Sequence, residues 1–380
     1  MKRIAIVTHS NSMNYGGILQ AVALSHTIRE LGMEPVNITC NPMPSAWNGI
    51  IAYVRRRIQC YGCKGIYTKI RIVGGMCKTF ISNVHYPHRK MKEKQFTSFI
   101  SNNLNITDYY KTDQELIENC GCYDAYITGS DQVWNDSFAD KEFLNRFFLE
   151  FAPDGKPCYS YAASTGGKKT DKYIKEIIER TKKFRGITVR EKSLEEHMKK
   201  LGADNVKTVI DPVLLLKKSE WCKMEKKPRI KLPSKYILVY YLEKPSAQDE
   251  VVKKVASELQ LPVVDIMPDY KRATYSRIID DTAGPAEFLY YVHNAEYVIT
   301  NSFHMTVFSM IFQKKFITLQ RTGQESRIED ILREFGMEQH AVFSEKEWNK
   351  ILEPLDCIEE QLLPRRTEAI RFLQQVKEFI

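Results

Sequence analysis

Short apolar runs of strand length alternate with longer stretches of helical periodicity, and the alternation occurs twice along this chain. Parallel sheets crossed over by helices have that rhythm. In the first half, strands are expected at 3–8, 35–39, 124–128, 157–162, 186–190 and 206–210. A second alternation places strands at 236–242, 262–266, 297–300 and 316–319, with helices near 247–259, 285–294, 303–312 and 325–335. Between the two, after Asp211 and Pro212, a Lys- and Pro-rich stretch from 217 to 233 reads as a linker. No sequence repeat relates the halves.

One hydrophobic core rarely serves 380 residues, so length and alternation together predict an α/β protein of two Rossmann-like domains. Residues 1–212 make the first, with a basic helical insertion at about 43–115; 213–234 is the linker; 235–355 makes the second. Ligands of open α/β sheets bind beyond the carboxyl ends of the strands. Two such sheets are therefore expected to face each other across a cleft, in a GT-B-like arrangement. Residues 356–380 read as a helix, expected by analogy to cross back onto the first domain.

The net charge of +9 is local: from Tyr53 to Lys94 eleven Lys or Arg stand against Glu93 alone. Ile51, Val54, Ile58 and Tyr61 fall at helical spacing beside Arg55, Arg56 and Arg57, which suits either peripheral contact with an anionic membrane or a solvated basic excursion. No nucleic-acid-binding motif accompanies them, so nucleic acid is not expected. The N-terminal apolar run is only Ile4 to Val7, too short for a signal peptide, and a cytoplasmic location, with possible access to the inner membrane face, follows as the expectation. Nine scattered cysteines fit reduced thiols. The Cys60/Cys63 and Cys120/Cys122 pairs lack partners at zinc-finger spacing, so no metal and no cofactor are expected.

Three polar loops follow predicted strands. Asn14-Tyr15-Gly16-Gly17 opens a helix and reads as a tight turn or as a loop that lets backbone N–H groups approach an anion. Ser130, Asp131, Gln132 and Trp134 combine a carboxylate, an amide and an indole, as sugar sites do; the competing reading buries Trp134 and makes Asp131 a helix cap. In the third loop Ser302 caps a helix that carries Phe303 and His304 in its first turn. Arg190, at the end of a strand, offers a guanidinium fork for a carboxylate or phosphate, or pairs with Glu191 or another acid; Arg327 is a second candidate.

Six segments, in order, resemble the polysaccharide pyruvyltransferase family: 14–21, 123–135, 160–164, 189–191, 211–212 and 300–309. The resemblance implies phosphoenolpyruvate as donor substrate and a sugar acceptor on a cell-surface polysaccharide or its lipid-linked precursor. It implies His304 and Arg190 as catalytic residues. Arg190, Ser302, Phe303, His304 and Arg327 would bind the donor on the second-domain side. Asn14, Tyr15, Gly16, Gly17, Ser130, Asp131, Gln132 and Trp134 would face the acceptor. Met305 departs from the glycine that many members carry after the His, and its side chain is expected to narrow the pocket or to shift the donor. Two other functions compete: a GT-B nucleotide-sugar glycosyltransferase and a non-catalytic membrane-surface scaffold in envelope assembly. Against the first, Glu287 and Glu296 miss the spacing of a donor motif by one residue.

Overall fold

The computed structural model describes residues 1–40, 87–137, 141–242, 248–266, 273–319, 325–342, 355 and 357–380. The basic segment up to residue 86, with Cys60 and Cys63, lies outside them.

The first sheet has seven parallel strands: β1 (Arg3–Val7), β2 (Glu34–Thr39), β3 (Ile106–Tyr109), β4 (Ala125–Thr128), β5 (Cys158–Ala163), β6 (Phe184–Val189) and β7 (Val206–Thr208). The second has six: β8 (Ile237–Tyr240), β9 (Val263–Asp265), β10 (Ile278–Ile279), β11 (Tyr297–Thr300), β12 (Lys315–Leu319) and β13 (Ala341–Val342). Their orders are β3-β2-β1-β4-β5-β6-β7 and β10-β9-β8-β11-β12-β13. Each chain path runs outward from a central strand and then reverses, so each sheet has a switch point, between β1 and β4 and between β8 and β11. The fold is α/β, with two Rossmann-like sheets.

Central strands such as β4 and β11 are buried at every position, which is why they read as unbroken apolar runs. Edge strand β3 does not: its apolar ends, Ile106 and Tyr109, are each 37% exposed, and it lacks the signal of a covered strand. It pairs with β2 nonetheless, so the stretch expected to be a helical insertion contributes a strand to the sheet. The two-residue strands β10 and β13 are too short to carry any periodicity.

The helices that shape the site are α1 (Tyr15–Glu30), α2 (Pro87–Asn103), α3 (Lys192–Lys200), α4 (Lys218–Met224), α5 (Pro285–Asn294), α6 (Phe303–Ile311), α7 (Glu325–Glu334) and α8 (Glu359–Glu378). Helix α1 is buried almost all round because both halves of the chain pack on it. Tyr15 stacks on Phe288 of α5 at 4.8 Å and its hydroxyl donates to Ala283 O at 2.7 Å. Burying a ring of that size stabilises by about 1.5–3 kcal/mol. One hydrophobic cluster consequently runs through α1, the linker, α6 and the last helix.

The linker is packed tightly. Val213 and Leu214 are wholly buried, and Trp221 of α4 donates its indole N–H to Val213 O at 3.1 Å. Helix α8 lies against both: Arg366 donates to Leu214 O at 2.9 Å and Lys377 to Leu31 O at 2.8 Å. Phe372 meets Tyr159 of β5 edge-on and passes over Gly186, where a Cβ would stand 2.8 Å from its ring. Among the described residues no helix is long and apolar enough to cross a membrane.

Candidate active site between the two sheets

The three polar loops follow β1, β4 and β11, which border the two switch points. After β1, the Asn14 side chain caps α1 by accepting from Gly17 N at 3.3 Å. After β4, the turn is held to the first loop by Thr8, whose hydroxyl donates to Ser130 O at 2.9 Å. Asp131 there adopts a positive φ of 70°, a strained conformation for a residue with a side chain. After β11, Ser302 caps α6 through Met305 N.

Arg190, just past β6, is the centre of the site. Its guanidinium donates to Asp211 Oδ2 at 3.0 Å and to Glu191 Oε1 at 3.1 Å, lies 3.9 Å from Asp131 and covers the Phe303 ring at 4.1 Å. One nitrogen, Nη2, is buried without a hydrogen-bond partner. Arg190 is thus both the ion-paired residue and a candidate anion ligand: two nitrogens are committed and one remains. Burial alone would weaken the charged form, but Glu191, Asp211 and Asp131 overcome it and hold the guanidinium firmly protonated.

His304 is 7% exposed, with Nε2 3.7 Å from Asp211 Oδ2 and without a hydrogen bond. Burial lowers its pKa below 6.5 despite the opposing pull of Asp211 and Asp131, so the ring is neutral near pH 7. The Asp131 carboxyl behaves oppositely: burial would raise it, but the cationic environment of His304, His9, Arg190 and Arg327 brings it down to about 2. With the His304 imidazole neutral, Arg190 and Arg327 keep their part of that hold. Asp131 stays ionised.

A cleft of about 440 Å³ opens beside this group, lined by Arg190, Asp211, Phe303 and Arg327 together with side chains of α3 and α7. Ser193 and Asp330 join those helices across it, hydroxyl to carboxylate at 2.5 Å. Its wall carries five Lys or Arg and six Asp or Glu, so it is no general anion funnel. Recognition of an anion would rest on particular groups: the uncommitted arm of Arg190, Arg327 and the start of α6.

Several sequence expectations fall elsewhere. Trp134 is fully buried, stacked on Phe148 at 5.7 Å and 3°, so its ring offers no face to a sugar; its null exposure follows from close packing under β4. Tyr15 serves the interdomain core described above. Gly16 and Gly17 adjoin His304 and His9 respectively, and the first loop makes room for side chains. Gln132, partly exposed, accepts from Asn135 at 2.7 Å. Met305 is buried in the shared core, so it does not narrow the cleft. Glu287 caps α5 by accepting from Gly284 N, a structural task. Sequence reasoning missed Asp211 as a site residue. It accepts from Arg190 and Ser130 through Oδ2 and from Val213 N through Oδ1. An acid immediately before a proline, at the end of a strand, was the available sign.

The family model for polysaccharide pyruvyl transferase matches residues 14–322. The chain belongs to the polysaccharide pyruvyl transferase family. That match includes every candidate residue named above except Arg327, and it makes the chain a transferase of polysaccharide synthesis. No match was found among curated proteins. Solved structures similar to this transferase include the UDP-GlcNAc 2-epimerase of Methanocaldococcus jannaschii, 11% identical over all of both chains, with a TM-score of 0.53. The UDP-N-acetylglucosamine 2-epimerase of Rickettsia bellii is 12% identical over 100% of this chain and 95% of its own, at 0.53. AviGT4, a glycosyltransferase of avilamycin A biosynthesis, is 11% identical over 100% and 98%, at 0.50. These likenesses establish the GT-B-like two-domain fold, and at such identity nothing about substrate.

Proposed function

We propose that this transferase moves the pyruvyl carbons of phosphoenolpyruvate onto a sugar of a cell-surface polysaccharide or its lipid-linked precursor, forming a pyruvate ketal. The observation that carries this reading is the pairing of a neutral His304 with Arg190, one arm of which is uncommitted, in a member of the pyruvyl transferase family. Phosphoenolpyruvate has a carboxylate and a phosphate. Arg190, Arg327 and the start of α6 are suited to those two anions.

In this scheme C3 of the enol accepts a proton, a sugar hydroxyl attacks C2, and phosphate leaves with the former enol oxygen. A second hydroxyl then closes the ketal at C2. His304, neutral at the outset, takes the proton of the attacking hydroxyl and passes it to C3, where it stays in the new methyl group, and the proton of the second hydroxyl leaves with the phosphate. A positioned imidazole contributes about 10²- to 10⁴-fold to such transfers. The carboxyl groups of Asp131 and Asp211, the latter 3.7 Å from Nε2, would stabilise the imidazolium when it forms. The loops with Asn14 and Ser130 remain the acceptor side of this reading. The basic residues of 53–94 support contact with an anionic membrane surface, where a lipid-linked acceptor would be met.

Calorimetric titration with phosphoenolpyruvate, and separately with UDP- and GDP-sugars, tests the donor. Saturable binding of phosphoenolpyruvate that weakens in Arg190→Lys, where the charge stays and the fork is lost, is the expected result. Binding of a nucleotide sugar with none of phosphoenolpyruvate would replace this reading with a glycosyltransferase.

A further inference from the structure

Away from the cleft, α4 and α5 bring three ligand-type side chains together. Cys222 is in α4, Glu225 is the residue immediately after that helix, and His293 lies in the last turn of α5. The Cys222 Sγ is 3.7 Å from His293 Nδ1, and a Glu225 carboxylate oxygen is 2.8 Å from the same nitrogen. All three ligand atoms fall within 4.8 Å of one another, and each residue is partly buried.

That both partners meet one ring nitrogen decides what the group can do. A nucleophilic relay needs the thiol on one nitrogen of the imidazole and the acid on the other. Here thiol and carboxylate converge on Nδ1. A single proton satisfies such a trio only two at a time, whereas a cation satisfies all three.

The geometry points to a binding site for a borderline-soft divalent cation of the zinc class, held by Cys222 Sγ, Glu225 and His293 Nδ1, with solvent as the fourth ligand. Sulfur and nitrogen bound to one tetrahedral zinc stand about 3.5 Å apart, close to the 3.7 Å seen. The carboxylate oxygen would move outward by about 0.5 Å to reach its own ligand position. Thiolate and carboxylate match the two charges of the ion. Lys218, nearby on α4, opposes it, and two anionic ligands outweigh one lysine. The His293 ring is already oriented by stacking on Phe312 at 4.9 Å and 20°. Glu225 also lines an open cleft of about 820 Å³, which supplies an access path. The ion would pin the linker helix α4 to α5 of the second domain, a structural role independent of the pyruvyl transfer site.

Titration of the chelator-stripped full chain with Co²⁺ tests the site. One equivalent is expected to give intense thiolate-to-cobalt charge-transfer absorption that Zn²⁺ abolishes. Cys222→Ser or His293→Ala removes the absorption, while Cys60→Ser/Cys63→Ser retains it. Alkylation of the unmutated protein gives a second measurement, in which Zn²⁺ slows modification of Cys222 at least tenfold. No charge-transfer absorption in the parent protein, its survival in Cys222→Ser, or unchanged alkylation of Cys222 would each overturn the proposal.

Discussion

Gly16 lies so close to the His304 imidazole that a Cβ added to it would stand 2.0 Å from Nδ1. The two residues belong to the first turns of α1 and α6, one from each half of the chain. Gly16→Ala is therefore expected to displace the imidazole, because the ring has Asp211 and Arg190 behind it and little space to yield. Misplacement by about 1 Å can cost on the order of 100-fold in turnover. Steady-state kinetics of Gly16→Ala should show that loss mainly in kcat, with overpacking costing about 1–3 kcal/mol in urea denaturation.

Asp211→Asn tests the hub of the charge cluster. The substitution keeps shape and the acceptor for Val213 N but removes a charge from the Arg190 group. Breaking a buried ion pair destabilises by about 3–5 kcal/mol, and the remaining Glu191 and Asp131 place the expected loss at the lower end. The urea midpoint measures it. A change within error would mean that the two other acids suffice.

Trp134 is expected to matter for stability and not for substrate. Trp134→Ala empties a fully buried position and should cost about 3–5 kcal/mol. Acrylamide quenching distinguishes the roles directly: fluorescence lost in Trp134→Phe should come out of the fraction that the quencher does not reach in the parent protein, a fraction shared with the equally buried Trp221.

The buried histidines predict how stability depends on pH. Burial lowers His304, against Asp211 and Asp131, and burial also lowers His340, against its hydrogen bond to Phe316 O. Between each lowered value and 6.5 the unfolded chain binds more protons than the folded one. The stabilising contribution is therefore present above 6.5 and is lost as pH falls through the folded value, at up to about 1.4 kcal/mol per pH unit for each ring. Urea midpoints from pH 8 to 5 should decline in the parent protein and decline less in His304→Gln/His340→Gln. Asp131, held at about 2, acts in a separate window, its contribution disappearing only as pH falls from 3.8 toward 2.

The primary structure alone determined the two α/β halves, the central strands and the positions of the three polar loops. Each depends on local periodicity or on capping residues a few positions away: β4 and β11 are buried on both faces and so are apolar throughout, and Ser302 caps its own helix. The ordered motifs likewise identified the family. Edge strand β3 stayed hidden because an exposed strand needs no apolar run. Only the tertiary structure decided what the loop residues touch. Asp211 joins Arg190 across 21 positions, Gly16 meets His304 across the domains, and Trp134 turns into the core. Such contacts come from packing elements distant in sequence, and burial of that kind, unlike periodicity, leaves no local trace in the residues themselves.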